Sequence, residues 1–267
     1  MTAFRELHGP GRMLVLPNAW DAGSARLIES CGAQAIATTS SGVAWACGHP
    51  DGDAIPPDVL IDAVARIRRV LTVPLTVDAE GGYSSEPARV GETIEGLIDA
   101  GAVGVNLEDG SVHPPDLLCA KIAAAKKAAA RARVDLFVNA RTDVFLRGLV
   151  APERRVVETL ARARQYRDAG ADGLFVPGVS DPDPIAELVA GTELPLNVML
   201  VPKLPSLAAL AKLGVRRVSA GAAIAQAVHG LTRKLAHQLI ADEGYAAAFE
   251  GAAAYGELNA LFAPARR

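Results

Sequence analysis

Short runs of apolar residues alternate with longer amphipathic stretches along most of the chain. Eight of these runs predict β-strands: Met13–Leu16, Ala35–Thr38, Leu75–Val77, Val103–Leu107, Leu136–Val138, Gly173–Val176, Leu196–Met199 and Arg217–Ser219. The stretches between them predict helices, among them residues 58–70, 86–100, 117–131 and 153–169. Because the apolar runs are continuous, they are typical of strands buried on both faces, as in a parallel sheet.

Four predicted helices are joined to the next strand through a glycine with the same kind of neighbours. The four joints are Cys31-Gly32-Ala33, Ala100-Gly101-Ala102, Ala169-Gly170-Ala171 and Leu213-Gly214-Val215. A glycine that closes a helix in the left-handed conformation is the usual connection from a helix to a strand. Eight strand–helix units in about 250 residues predict a closed α/β barrel of the (β/α)8, or TIM, type. A doubly wound open sheet is the alternative, and the absence of a GxGxxG after the first strand disfavours it.

The chain beyond Gly221 is rich in alanine and has a helical pattern to about Phe262. This is more helix than the eighth unit of a barrel requires. We therefore predict one barrel domain over residues 1–267, in which 240–267 form a helical extension used in oligomerisation.

Composition excludes several functional classes. The 267 residues are 50% hydrophobic, and 27 basic against 30 acidic residues give a net charge of −3, without the basic excess of a nucleic-acid-binding protein. The three cysteines form no CxxC pair, which argues against structural zinc. Residues 30–50 carry no Asp, Glu, Lys or Arg, but polar residues interrupt them too often for a membrane span. The N-terminus carries charges where a signal peptide needs an apolar run, so we expect a cytoplasmic protein without nucleic-acid or membrane partners.

Acidic residues follow two neighbouring predicted strands, at the end of a barrel where active sites lie. Asp78 and Glu80 follow one strand and Glu108 follows the next. Clustered carboxylates repel each other unless a cation lies between them. Oxygen ligands without Cys or His favour Mg²⁺, with Mn²⁺ as the alternative, over zinc. The other interpretation is that these acids pair with Arg141 or with lysines, or cap helices.

Three further strand ends offer groups that bind anions. Arg141 stands where its guanidinium could hold a carboxylate through two hydrogen bonds, or alternatively form a structural ion pair with Asp143 or Glu108. Thr39-Ser40-Ser41-Gly42 consists of small residues, so its backbone N–H groups could approach an anionic group closely, although such loops are often simple turns. Asn197 lies in the seventh predicted strand and is a further candidate for substrate binding.

Six segments in a particular order and spacing carry a resemblance to a known family. They are Leu16–Asp21, Thr39–Ala44, Pro50–Gly52, Val77–Tyr83, Asn106–Asp109 and Ala140–Asp143. The chain resembles the isocitrate lyase/phosphoenolpyruvate mutase superfamily along almost its whole length.

The resemblance implies a (β/α)8 barrel that binds Mg²⁺ through Asp78, Glu80 and Glu108, partly by way of water. The substrates of such enzymes are small 2-oxo or 2-hydroxy carboxylic acids that react through a pyruvate-like enolate. Members of the superfamily commonly exchange their last helices between subunits, which implies a homodimer or homotetramer. The residues expected to bind substrate are Trp20, Ser40, Ser41, Gly42, Asp78, Arg141 and Asn197, and those expected to be catalytic are Asp51, Arg141 and His113.

The loop after Glu108-Asp109 departs from the superfamily pattern. The carbon–carbon lyases carry a Lys-Lys/Arg-Cys-Gly-His motif there and the mutases a lysine, whereas this chain has a shorter Gly-Ser-Val-His-Pro-Pro segment. His113 is then the loop group suited to donate a proton, although a surface histidine is an equal alternative. Cys119 lies in a helical run and is predicted to pack in the core.

Two other positions differ from the better-known members. Glu80 replaces an aspartate, and the sixth strand ends in Val176-Pro177-Gly178 without the glutamate of the lyases. The predicted function is therefore an Mg²⁺-dependent lyase that cleaves a carbon–carbon bond or decarboxylates an oxaloacetate-like acid. Phosphorus–carbon chemistry, as in the mutases and phosphonopyruvate hydrolases, and a 2-oxo-acid-binding barrel with little catalysis are the alternatives.

Overall fold

The computed structural model describes residues 4–110, 114–242 and 244–263, and its centre is a parallel sheet that nearly closes into a barrel. The nine strands of this described part are β1 Leu14–Leu16, β2 Asn18–Ala19, β3 Ile36–Thr38, β4 Leu75–Asp78, β5 Gly104–Glu108, β6 Phe137–Arg141, β7 Gly173–Val176, β8 Leu196–Met199 and β9 Arg217–Ser219. β1 pairs with β9 and β2 pairs with β3, so the two short strands on either side of Pro17 complete the ring. Proline has no N–H to donate to a neighbouring strand, which is why β1 ends at Leu16 and β2 begins only after Pro17. The predicted (β/α)8 fold is confirmed.

Helices surround the strands on the outside. They are α1 Ala22–Ser30, α2 Ser40–Ala46, α3 Pro57–Arg69, α4 Pro87–Asp99, α5 Pro115–Ala132, α6 Arg155–Asp168, α7 Pro182–Gly191, α8 Leu207–Leu213, α9 Ala223–Ile240 and α10 Tyr255–Leu261. Short 3-10 helices occupy Phe4–His8, Pro152–Arg154 and Ala246–Ala248. Gly32, Gly101, Gly170 and Gly214 all have positive φ, between 92° and 107°, as the four helix-to-strand joints predict.

Helix α2 differs from the prediction, which placed a loop after β3. Thr39 is extended, and the chain then turns directly into a helix of seven residues. The segment Val43-Ala44-Trp45-Ala46 completes this helix, because burial of Val43 and Ala44 stabilises a turn that local propensity alone does not favour. Ser40 and Ser41 therefore lie in the first turn of a helix.

The inside of the barrel is polar at its middle level. The amide of Asn139 donates 3.0 Å hydrogen bonds to the side-chain oxygens of Asn106 and Asn197, and Arg217 donates to Asn106 over 3.3 Å. Asn197 is fully buried, and its own amide donates to interior acceptors, among them the Val198 carbonyl at 2.7 Å. Because it is the second residue of β8 and not its last, Asn197 lies below the mouth of the barrel. Its role in substrate binding stays a prediction.

The amino end of the barrel is closed by the first 3-10 helix. The ring of His8 stacks on that of Phe137 at 4.1 Å, and Phe4 meets Phe137 edge-on at 5.6 Å. Burial lowers the pKa of His8 to about 3, with the charge of Arg217 acting in the same direction, so His8 is neutral. The apolar seal at this end leaves the opposite end of the strands as the open face.

Beyond the barrel, α10 packs on the outside of α1, where Arg26 Nε donates to the carbonyl of Leu261 over 2.9 Å. Several large apolar side chains of this segment remain exposed, including Ile240 at 86% and Tyr255 at 85%. Within the described residues, no helix combines the length and apolar character needed to cross a bilayer.

Candidate active site

Three acidic side chains lie at the carboxyl ends of β4 and β5. Asp78 and Glu108 are the last residues of these adjacent strands, and Glu80 follows Asp78 by two residues. The register pairs Asp78 with Asn106. Glu108 is two residues further along β5 and therefore lies nearer the open face than Asp78 does. Asp78 Oδ1 is buried and has no hydrogen-bond partner. A buried carboxylate oxygen without a partner is costly and calls for a group that the protein itself does not supply.

Burial and mutual repulsion raise the pKa of all three acids. Burial raises the pKa of Asp78, and this outweighs the attraction of Arg141. Burial also raises the pKa of Glu80 to about 7 and that of Glu108 to about 8, and the charge of Asp78 acts in the same direction on both. Without a cation, the cluster therefore favours bound protons at pH values where isolated carboxyl groups are ionised.

The three carboxylates do not converge on one point. Among the described residues, no three His, Cys, Asp or Glu side chains come close enough together to hold a metal ion in this arrangement. The carboxylate of Glu80 accepts hydrogen bonds from Gly52 and Asp53, while Glu108 Oε2 lies 2.6 Å from Arg141 Nη1 without an aligned hydrogen bond. Asp78 Oδ1 is thus a carboxylate oxygen without a partner, the ligand type that Mg²⁺ prefers, whereas Glu108 Oε2 is ion-paired with Arg141.

Arg141 is held in place by two acids. Its Nε and Nη2 donate to the two oxygens of Asp143 over 2.7 and 3.2 Å, and its Nη1 faces Glu108. Its guanidinium carbon lies 5.8 Å from the centre of the Phe175 ring. Both alternative ion-pair partners predicted for Arg141 are therefore present. A guanidinium fixed on one side by Asp143 is oriented to receive a further anion beside Glu108.

A buried network behind Arg141 was missed by the sequence analysis. Asp109 accepts hydrogen bonds from the backbone of Asp143 at 3.0 Å, from Arg162 at 2.8 Å and from the Tyr166 hydroxyl at 2.7 Å. Asp109 is only 1% exposed and connects β5 and β6 to α6. The available signal was the acidic residue that directly follows Glu108, since a second acid at a strand end needs a cationic or hydrogen-bonding partner.

Ser40, Ser41 and Gly42 lie in the first turn of α2, where backbone N–H groups have no partner within the helix. Ser41 is buried, and its hydroxyl lies 3.2 Å from that of Thr39. A Cβ atom at Gly42 would lie 2.8 Å from Trp20 Cβ, so only glycine fits this contact. Asp51 lies on the exposed loop between α2 and α3, and its charge raises the pKa of Asp78 and Glu80. His113 lies outside the described residues.

The raised pKa values predict how stability depends on pH in the absence of divalent metal. From pH 4.5 to 8, the folded protein binds more protons at Glu80 and Glu108 than the unfolded chain does. The free energy of unfolding therefore falls as pH rises through this window, by on the order of 2 kcal/mol, or several degrees in Tm. Thermal unfolding in EDTA should show this fall, and Mg²⁺ should stabilise most at pH 8. A Tm that does not change between pH 5 and 8 in EDTA would contradict the prediction.

Fold and site together define an enzyme built on a (β/α)8 barrel with an acidic cluster at its strand ends. The profile of the phosphoenolpyruvate phosphomutase family matches residues 4–240, and the chain belongs to this family. The resemblance drawn from the six sequence segments is thereby confirmed, and with it the assignment to lyase- and mutase-type enzymes.

The chain is similar to two curated proteins and to one solved structure. An uncharacterized protein of Mycobacterium tuberculosis is 41% identical over 222 residues, which cover 82% of this chain and 81% of the relative. The oxaloacetate decarboxylase of Pseudomonas entomophila is 31% identical over 231 residues, which cover 82% and 77%. A crystal structure from Burkholderia cenocepacia, provisionally described as a phosphonomutase, is 48% identical with a TM-score of 0.84, covering 88% of this chain and 98% of that one.

Proposed function

We propose that this protein is an Mg²⁺-dependent lyase that acts on a small 2-oxo or 2-hydroxy dicarboxylic acid. The reaction is cleavage of a carbon–carbon bond or decarboxylation of an oxaloacetate-like acid. The observation that carries the proposal is the partnerless oxygen of Asp78, buried beside two more acids whose pKa values are raised. The similarity to the oxaloacetate decarboxylase of P. entomophila supports the choice of substrate class.

The proposed metal group consists of Asp78, Glu80 and Glu108. Asp78 has an oxygen without a partner and would hold the ion directly. Glu108 is ion-paired with Arg141 and would hold the ion beside this pair, whereas Glu80 is hydrogen-bonded already and would act through water. Mn²⁺ would fit the same oxygen ligands. When bound, the metal supplies a Lewis acid that stabilises the negative charge of an enolate.

The remaining roles fall to this chain's own groups. Arg141, fixed by Asp143, binds the carboxylate of the substrate, and the backbone N–H groups of Ser41 and Gly42 bind its other oxygens. Trp20, whose Cβ lies against Gly42, and Ser40, the first residue of α2, are the further groups proposed to bind substrate. Decarboxylation suits the shortened loop, because release of CO₂ requires no proton donor in that step. Asp51 and His113 are the proposed groups for the later proton transfer to the enolate carbon.

The test is a turnover assay with oxaloacetate and with 2-methylisocitrate, each in Mg²⁺ and in EDTA. We expect metal-dependent consumption of one of the two acids. If neither is consumed but oxalate binds tightly in the presence of Mg²⁺, the protein is a 2-oxo-acid-binding barrel and the proposed activity is wrong.

Phosphorus–carbon chemistry is the second candidate. The provisional description of the B. cenocepacia protein, at 48% identity, favours it, whereas the missing loop lysine argues against it. Phosphorus NMR of a reaction with phosphonopyruvate distinguishes the two, since a mutase moves the phosphorus signal to that of a phosphate ester and a hydrolase releases phosphate.

The chain is further proposed to form a homodimer or homotetramer in which residues 240–267 exchange between subunits. Ile240 and Phe249 are 86% and 75% exposed, which is unusual for such large apolar side chains. We expect the paired substitutions Ile240→Glu and Phe249→Glu to shift the sedimenting species to a smaller mass. Val157→Glu is the matched control, because Val157 is 63% exposed on α6, away from the extension. A wild-type protein that sediments as a monomer at micromolar concentration would contradict the proposal.

A further inference from the structure

We propose that Glu80 and Asp53 form a reciprocal clasp between two loops, and that Glu80 is a positioning residue for the loop that carries Asp51. The clasp joins the loop before α3 to the loop after β4. Its existence depends only on the contacts described below, while its consequence for substrate binding rests on the proposed function.

Each of the two acids binds the backbone of the other's loop. Glu80 Oε2 accepts from the N–H of Gly52 at 2.8 Å and from the N–H of Asp53. Asp53 Oδ1 accepts from the N–H groups of Gly81 and Tyr83, each at 3.1 Å. The Tyr83 hydroxyl donates to Glu80 Oε1 over 3.1 Å, so both oxygens of Glu80 are in use. Four backbone donors are thus paired across the two loops by two carboxylates.

Three of the residues that form the clasp have an uncommon backbone conformation. Asp53, Glu80 and Tyr83 have φ values of 57°, 47° and 60°, in the left-handed region that non-glycine residues rarely occupy. A Cβ at Gly81 would lie 2.4 Å from Asp53 Oδ2, so the close approach of this carboxylate requires glycine. Such conformations persist when the surrounding contacts over-determine them, as the reciprocal hydrogen bonds do here.

A buried lysine completes the clasp from α5. Lys121 is 4% exposed, and its Nζ donates to the Gly81 carbonyl over 2.5 Å. Burial lowers the pKa of Lys121, and the charges of Asp53 and Glu108 oppose this shift. The buried ammonium of Lys121 therefore lies against the two loops that carry Glu80 and Asp53.

The length of Glu80 is what makes the clasp possible. The side chain of Glu80 is one methylene longer than that of an aspartate, and this length lets its carboxylate reach the N–H groups of Gly52 and Asp53. Asp51 directly precedes these two residues, so holding them fixes the position of Asp51 near Asp78. In this chain the second acid of the cluster positions a neighbouring loop in addition to any water-mediated contact with the metal.

Two substitutions separate this role from that of a direct metal ligand. Glu80→Gln keeps the length and one acceptor oxygen, whereas Glu80→Asp keeps the charge but shortens the side chain. We expect amide hydrogen exchange at Gly52 and Asp53 in the metal-free full chain to accelerate about tenfold or more in Glu80→Asp, with little change in Glu80→Gln. We also expect the affinity for oxalate in Mg²⁺ to fall more in Glu80→Asp than in Glu80→Gln.

A direct metal ligand would give the reverse order, because Mg²⁺ binding tolerates Asp for Glu better than loss of the charge. Unchanged exchange in Glu80→Asp, or weaker Mg²⁺ binding only in Glu80→Gln, would overturn the proposal.

Asp53→Gly provides a second variant that tolerates the positive φ, and it should expose the N–H groups of Gly81 and Tyr83 to exchange. Asp62→Asn, on the exposed face of α3, is the control. Since exchange is measured without metal, failure of the proposed enzymatic function leaves this readout intact.

Discussion

Replacing Asp78 by asparagine is expected to lower metal-dependent turnover by about a thousandfold, the size of effect seen when one preorganised electrostatic contact to the reacting group is removed. Asparagine has nearly the same shape, so the change removes the charge with little loss of packing. Asp78 has a buried carboxylate oxygen without a hydrogen-bond partner, and is hence the ligand that the site can least replace.

The same substitution should stabilise the metal-free protein. Burial is the main cause of the raised pKa values of Glu80 and Glu108, and the charge of Asp78 adds to it, so asparagine removes part of the repulsion between these acids. A rise in Tm of a few degrees at pH 8 in EDTA, corresponding to about 1–2 kcal/mol, is the expected result. Lower activity with higher stability distinguishes loss of a functional charge from damage to the fold. The exposed acid Asp62 provides the control substitution Asp62→Asn, and a variant of Asp78 that retains more than a tenth of the wild-type activity would contradict the assignment.

Replacing Arg141 by lysine is expected to lower turnover divided by KM by about a hundredfold, chiefly through KM. Lysine keeps the charge but lacks the planar fork that donates to both oxygens of Asp143. The ammonium cannot pair with Asp143, Glu108 and a substrate carboxylate at once. Loss of the two-point contact with the substrate carboxylate costs about 2–3 kcal/mol of binding free energy.

Arg147 offers a closely matched control for this experiment. Its Nε donates to the same carboxylate, at Asp143 Oδ2, over 2.8 Å, but its side chain is 47% exposed. Arg147→Lys should change turnover by no more than about threefold, as expected for an exposed ion pair. Equal losses in the two variants would mean that Arg141 acts only through the stability of Asp143.

The barrel was predictable because its signals are local and repeat along the chain. Continuous apolar runs and the closing glycines at 32, 101, 170 and 214 fix strands and connections with little help from tertiary contacts. Helix α2, which the sequence did not predict, depends on burial of Val43 and Ala44, which no local pattern reports.

Only those site residues that lie at the carboxyl ends of strands could be predicted from the sequence. Sequence placed Asp78 and Glu108 together correctly, because parallel strands bring their carboxyl ends to one face. It did not reveal that Glu80 turns toward Gly52 and Asp53. These residues lie 28 and 27 positions before Glu80, so the contact depends on the course of two separate loops. It also could not distinguish Asn197, inside the barrel, from a residue at its mouth.

The hydrogen-bonded amides within the barrel bear on how this chain folds. Asn106 and Asn139 come from the middle of the sequence, while Arg217 comes from β9, the last strand to be synthesised. A nascent chain that ends before β9 leaves these groups without their final donor, and a strand displaced by one residue turns them outward. The polar interior thus ties the first half of the barrel to the last strand, so assembly should be cooperative over the whole ring, and separately expressed half-barrels should be poorly structured.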